Sequence, residues 1–271
     1  MTMKKERLDV LLVQKGFFET REKAKRSIMA GVVFADDECA DKPGMKVKTD
    51  AVLRIKGEVM PYVSRGGLKL EKAIQVFNLR CSNKIVLDIG ASTGGFTDCA
   101  IQHGAARVYA VDVGYNQLAW SLRVHPQVIV KERMNFRYAS PEDFTEGEPE
   151  FAVVDVSFIS LKLMLPPLYQ ILSDDGEACL LIKPQFEAGR DKVGKKGIVR
   201  DTAVHEEVIT NICDFAHSTG FAVTGLDYSP ITGGDGNVEF LLHISKNQST
   251  TSPCSPVIIQ EVVMKATHQF K

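Results

Sequence analysis

The stretch "VLDIGASTGGFTDCAIQHGA", residues 86–105, reads as a buried strand, a glycine-rich turn and the start of a helix. A turn of this kind usually holds a phosphate, because backbone N–H groups and the helix dipole together make an anion site. The residues here point elsewhere. Gly90 and Gly95 have the spacing of a phosphate-binding loop, but Phe96 stands where its lysine belongs, so only Thr97 completes the pattern. The dinucleotide fingerprint fails too, since Ser92 replaces its second glycine. Asp88 closes the strand, and a carboxylate there repels a polyphosphate and favours a cation. The expected ligand is a nucleoside carrying positive charge.

From Gly66 onward strands alternate with helices. Strands are predicted at 84–90, 107–113, 128–131, 151–157, 177–183, 220–227 and 237–245, with helices starting near 67, 94, 116, 160 and 202. The rhythm predicts an α/β fold: a doubly wound, mostly parallel, seven-stranded Rossmann-like sheet. Such sheets bind ligands beyond the carboxyl ends of their strands at the switch point, where the 86–105 turn falls. The second strand, "RVYAVDV", ends in Asp112, placed to accept the ribose hydroxyls of a nucleoside over the first turn. The alternative for Asp112 is a helix N-cap. Together the residues suit S-adenosylmethionine, with Asp88 near its cationic methionine end, Asp112 on its ribose, and Gly90, Ser92, Gly94, Gly95 and Phe96 forming the turn.

The first sixty residues differ in character. "RLDVLLVQKG" sets Leu8, Leu11 and Leu12 on one helical face with Gly16 as a stop, and "TREKAKRSIMAG" follows with Thr20 as N-cap. Residues 1–31 hold eight Lys/Arg against four Asp/Glu, and Ala24 and Ile28 face inward opposite Arg21 and Lys25. Short strands around turns complete a small α+β unit over 1–58, and 59–65 reads as a linker. The sheet domain is expected over 66–246, and 247–271 is a tail whose last part, "VIIQEVVMKATHQF", suits a short helix docking back on the domain.

The 271-residue chain is 44% hydrophobic and carries a net charge of −1, so any nucleic-acid binding must come from a local patch. Its six cysteines form no CxxC pair, which predicts reduced thiols in a cytoplasmic protein and no metal site. No leader pattern opens the chain, and the longest apolar stretch, 159–172, is broken by Pro166 and Pro167, so no membrane role is expected. Oligomeric state leaves no signal.

Asp155 closes the apolar strand "FAVVDV" and Lys183 closes "ACLLIK", so both are expected to project into the cleft beside the 86–105 turn. Taken singly, Lys183 also reads as a solvated lysine, Lys69 as a helix-surface lysine and Glu239 as an outward residue of an edge strand. "SRGGLKLEKA", "DIGASTGGFTD", "VVDVSFIS", "LLIKPQFE" and "GNVEFLLHIS", in that order, resemble the TlyA family of ribosomal RNA 2′-O-methyltransferases, related to the FtsJ group and often labelled haemolysins. The resemblance covers nearly the whole chain. It implies that Lys69, Asp155, Lys183 and Glu239 surround the reacting hydroxyl, with Lys183 as base. It also implies that the N-terminal unit is an alpha-L RNA-binding domain, and that the partner is a cytidine in ribosomal RNA or a ribosomal subunit. Arg21, Lys25 and Arg26, with Arg65 in the linker, are the candidate RNA contacts.

Rival chemistries leave different marks. Base N-methylation calls for Asn or Asp, two prolines and an aromatic at the fourth strand, whereas the chain has "DVSF" at 155–158. Cytosine C5 chemistry needs a cysteine nucleophile in the cleft, while Cys179 and Cys213 lie in apolar patterns. A membrane-active haemolysin lacks a spanning or amphipathic segment of the required sort. A ribosome-binding protein without catalysis is disfavoured by the four filled positions.

Overall fold

The computed structural model describes residues 5–29, 31–56, 60–247 and 254–271. The expected end of the first unit near Glu58, the first linker residue and the polar stretch 248–253 lie outside the described residues. The chain divides into two compact units, 1–65 and 66–271.

In the first unit, β1 (Lys5–Arg7), α1 (Leu8–Gln14) and α2 (Arg21–Met29) precede the short strands β2 (Val33–Ala35), β3 (Glu38–Cys39), β4 (Lys46–Lys48) and β5 (Leu53–Ile55). Its core gathers Leu8, Leu11 and Leu12 of α1 with Ala24 and Ile28 of α2, the inward faces expected from helical spacing. Gly16 adopts φ +75°, which stops α1, and the Thr20 hydroxyl accepts the Lys23 N–H at 3.3 Å. Asp9 is fully buried in this unit and held by Arg7 at 3.0 Å and Arg21 at 2.7 Å. The Arg7 hydrogen bond, and then Arg21, hold its carboxyl down at about 2.

The second unit runs α3 (Gly67–Phe77), β6 (Ile85–Ile89), α4 (Gly95–Gln102), β7 (Arg107–Asp112), α5 (Trp120–Arg123), β8 (Val128–Glu132), β9 (Phe151–Val154), α6 (Leu165–Ile171), β10 (Glu177–Ile182), α7 (Pro184–Glu187), α8 (Thr202–Thr219), β11 (Ala222–Tyr228), β12 (Phe240–Ser245) and α9 (Pro256–Gln269). The sheet order is β11-β12-β10-β9-β6-β7-β8, parallel except for β12, which runs antiparallel to both neighbours. The chain order reverses between β9 and β6, so a crevice opens there at the strands' carboxyl ends. Period-two alternation sorts the faces. Leu87, Ile89, Val154, Leu180 and Ile182 pack with α6, α8 and α9, while α3 and α4 contact one another and the opposite face.

Several boundaries differ from the sequence reading, among them the strand expected over 151–157, which ends at Val154. The helix expected near 116 begins at Trp120, because the Glu132 carboxylate accepts the N–H groups of Asn116 at 2.9 Å and Gln117 at 3.1 Å and holds them as a turn. The helix expected near 160 starts as a 3-10 turn over Leu161–Leu163 and becomes α-helical only at Leu165, with Pro166 and Pro167 in the first turn, where missing N–H groups cost nothing. The last strand starts at Phe240 rather than 237 because Asn237 turns its side chain to another loop. The expectation of six free thiols is also corrected. Cys39, Cys81, Cys99 and Cys179 are free, but Cys213 on α8 is joined in a disulfide to Cys254 just before α9, since α9 docks on α8 and draws them together.

Candidate active site

The turn after β6 sits tightly against the end of β9. Gly90 has φ +87°, and a Cβ there would meet the Asp155 carbonyl oxygen at 2.4 Å, so no other residue allows this approach. Beside it lies a cavity of about 400 Å³, lined by Gly90 and Ser92, by Asp112 and Val113 after β7, by Asn135 and Phe136 after β8, and by Asp155 to Phe158 after β9.

Asp112 braces this cavity. Its carboxylate accepts the Ser92 N–H at 2.8 Å and the Gly114 N–H at 2.7 Å, leaving one further lone pair on each oxygen for a ligand. Ile89, Val113, Met134 and Phe136 supply apolar walls, and no lysine or arginine lines the cavity among the described residues. A carboxylate acceptor, apolar walls for a flat ring and the absence of lining cations together fit S-adenosylmethionine.

Of the other residues assigned to the cofactor from sequence, Gly94, Gly95, Phe96 and Asp88 do not line the cavity. Gly94 packs on Leu118 and Leu122, and Gly95 and Phe96 are buried in the first turn of α4. Asp88 is fully buried, accepts the Thr97 hydroxyl at 2.6 Å on one oxygen, and has no hydrogen-bond partner on the other. Burial raises its carboxyl to about 7, with the Thr97 hydrogen bond opposing only part of that shift. It lies under the turn because alternation sends Leu87 and Ile89 to one face of the sheet and Asp88 to the α4 face.

The four residues drawn from separate motifs converge into one chain of ion pairs. Lys183 Nζ stands 2.5 Å from Asp155 Oδ1, Lys69 Nζ lies 3.3 Å from Asp155 Oδ2, and Lys69 Nζ is 2.7 Å from Glu239 Oε2. Lys69, Lys183 and Glu239 are buried, and Asp155 opens on the cavity. Burial works to lower the Lys69 pKa, but Asp155 and Glu239 outweigh it and hold it above the ordinary lysine value. Burial likewise pushes Asp155 up, and the two ammonium groups override it and hold the carboxyl low. Each ion is compensated by the next, which is the condition under which buried charges persist.

Sequence reasoning missed several neighbours. Ser157 Oγ accepts from Lys183 Nζ at 3.0 Å, and Phe158 beside it is 90% exposed at φ +63°, its ring 4.9 Å from Phe186. The signal for both was their place within "DVSF", next to Asp155. Glu132 carries no motif, yet it holds the 116–118 turn and Arg123. Burial pushes its carboxyl up, but the donated N–H groups and Arg123 bring it to about 2.

Among the candidate RNA contacts, Arg21 is committed to buried Asp9 and Lys25 pairs with Glu22 at 2.7 Å, while Arg26 is half-buried and Arg65 exposed. Arg21 therefore has a structural duty that its sequence neighbours do not show.

Residues 62–246 match the FtsJ-like methyltransferase family, and residues 6–53 match the S4 domain. YqxC of Bacillus subtilis, named as an rRNA methyltransferase, is 61% identical over 90% of this chain and 87% of its own. The 16S/23S rRNA (cytidine-2′-O)-methyltransferase TlyA of Mycobacterium tuberculosis is 40% identical over 88% of this chain and 89% of its own. A solved Streptococcus thermophilus protein that carries a hemolysin name is 55% identical, covers 99% of this chain and 98% of its own, and superposes with a TM-score of 0.79. The chain belongs to the FtsJ-like methyltransferases, in the TlyA family that joins a methyltransferase unit to an N-terminal S4 domain.

Proposed function

We propose that this protein methylates the 2′-oxygen of a ribose, that of a cytidine, in ribosomal RNA, in the cytoplasm. The observation that carries the reading is the Lys183–Asp155–Lys69–Glu239 chain at the edge of the nucleoside cavity. S-adenosylmethionine supplies a methyl group already activated on a sulfonium. Asp112 accepts its ribose hydroxyls, and the turn at Gly90 and Ser92 bounds its site. A ribose hydroxyl is a poor nucleophile while protonated, so Lys183 acts as the base, which requires its ammonium to give up a proton to solvent before it takes the one on the 2′-oxygen. Asp155 and Ser157 fix the direction of the Lys183 Nζ, and Glu239 anchors Lys69, which in turn holds Asp155. Alignment of the oxygen within the cleft supplies much of the rate, and a rigid chain of ion pairs is suited to that task. Phe158 offers an exposed ring on which the base of the target nucleotide stacks.

The rival chemistries find less support. Cys179 is buried in β10 and burial pushes its thiol up to about 12, which leaves no thiolate for attack on a base. No helix among the described residues is long and apolar enough to cross a membrane. Labelled methyl transfer to deproteinised bacterial ribosomal RNA tests the reading. The label is expected at one position whose backbone then resists alkaline cleavage, because the 2′-oxygen that would attack the phosphate is blocked. Label in an alkali-sensitive position contradicts it.

A further inference from the structure

Between 190 and 200, "RDKVGKKGIVR" sets five cations against one carboxylate, a local excess within a chain of net charge −1. This loop leaves the active site through α7, which begins directly after Lys183, and ends at α8. Lys192 is spent on α8, pairing with Glu207 at 2.6 Å. Arg190, Lys195, Lys196 and Arg200 are exposed and have no carboxylate partner among the described residues. Lys195, Lys196 and Arg200 border a cavity of about 400 Å³ together with Gly194 and Ile198.

The loop is built rather than loose. Buried Asn237 accepts the Val199 N–H at 3.0 Å and donates to the Gly197 carbonyl at 2.8 Å, and the Gly194 N–H donates to the Ile198 carbonyl at 3.1 Å. His205 lies 3.1 Å from the Val199 carbonyl. These bonds hold Lys196 at φ +118°, a conformation that costs any residue with a Cβ and persists only where its surroundings impose it. Asn237 stands two residues before Glu239, so the segment that completes the ion-pair chain also fixes this loop.

We infer that the 190–200 loop is a phosphate-binding surface that holds the RNA backbone flanking the reacting ribose, with Lys195, Lys196 and Arg200 as its contacts and Asn237 as its positioning residue. The inference rests on the methyltransferase reading above and adds to it a second basic surface, one belonging to the catalytic unit itself. Backbone contacts of this kind set register without reading sequence.

The test uses the full-length chain and deproteinised bacterial ribosomal RNA, with affinity measured across a range of potassium chloride. The Lys195→Gln/Lys196→Gln/Arg200→Gln variant is expected to bind RNA about tenfold more weakly at low salt and to flatten the log–log salt slope by about two units. S-adenosylmethionine affinity measured by calorimetry stays unchanged, which shows that the fold is intact. Lys195→Arg/Lys196→Arg keeps the wild-type slope. Wild-type affinity and slope in the glutamine variant overturn the inference while leaving methylation by the wild type standing. Normal binding of naked RNA with lost binding of intact subunits would assign the loop to a protein partner and also overturn it. Failure of the wild type to methylate RNA would instead overturn the underlying function.

Discussion

Asp88 and Asp155 stand at the ends of adjacent strands, and burial pushes both toward the neutral acid, yet they carry opposite chemistry. Asp88 faces α4, where burial is opposed by only one neutral hydroxyl, so its carboxyl rises to about 7. Asp155 meets Lys69 and Lys183 and remains a carboxylate. Asp155 opens on the crevice while Asp88 is buried beneath the turn, and what faces each side chain decides its charge. The buried Asp88 carboxyl packs beneath the turn, and the Asp155 carboxylate links two lysines.

Cutting the paired side should produce the largest effect. Lys69→Ala leaves Glu239 buried without its ammonium and removes half of the pairing of Asp155, so urea unfolding should show a loss of about 3–5 kcal/mol. A loss within 0.5 kcal/mol, the ordinary range for ~neutral surface changes, would mean the chain contributes nothing to stability. Lys183→Ala ranks next, lowering turnover by roughly 10²–10⁴ while cofactor affinity holds. Lys183→Ala/Asp155→Ala should be little worse than the more severe single variant, because the residues act as one unit. Near-normal turnover in Lys183→Ala would remove it as the base.

Asp112→Ala comes third. It removes the acceptor for the ribose and frees the Ser92 and Gly114 N–H groups, and calorimetry should show S-adenosylmethionine bound about 1–3 kcal/mol more weakly. The effect that is smallest when read per pH unit sharpens the comparison through pH. Asp88 is a stronger proton acceptor in the folded chain than in the unfolded one, so it withdraws stability as pH rises from 3.8 toward about 7. The slope is at most about 1.4 kcal/mol per pH unit, and Asp88→Asn should abolish it. Asp155 has the opposite sign: its depressed pKa gives stability that is present above the unfolded value and lost as pH falls through the folded one. A wild type and Asp88→Asn with parallel stability profiles over this range would show that Asp88 is not perturbed.

The strand, turn and helix at 86–105 were legible because apolar runs and glycines mark them locally. Lys69, Asp155, Lys183 and Glu239 were legible through the ordered motifs that resemble the TlyA family, and for Asp155 and Lys183 also through their places at strand ends. Asn135, Glu132 and Asn237 were not, since a lone polar residue in a connecting segment has no period and its partners are set by tertiary packing. The burial of Asp88 lay within reach of the alternation of Leu87 and Ile89 around it. The Cys213–Cys254 bridge was out of reach, because its spacing of 41 residues carries no pattern until α9 docks on α8.

The central claim is that this ion-pair chain serves transfer to a ribose oxygen. Mass spectrometry of nucleosides from unmodified bacterial ribosomal RNA, treated with the purified protein and S-adenosylmethionine, tests it most directly. The expected product is 2′-O-methylcytidine, absent when Lys183→Ala replaces the wild type. A methyl group on a base, or the same product in undiminished yield from Lys183→Ala, would contradict it.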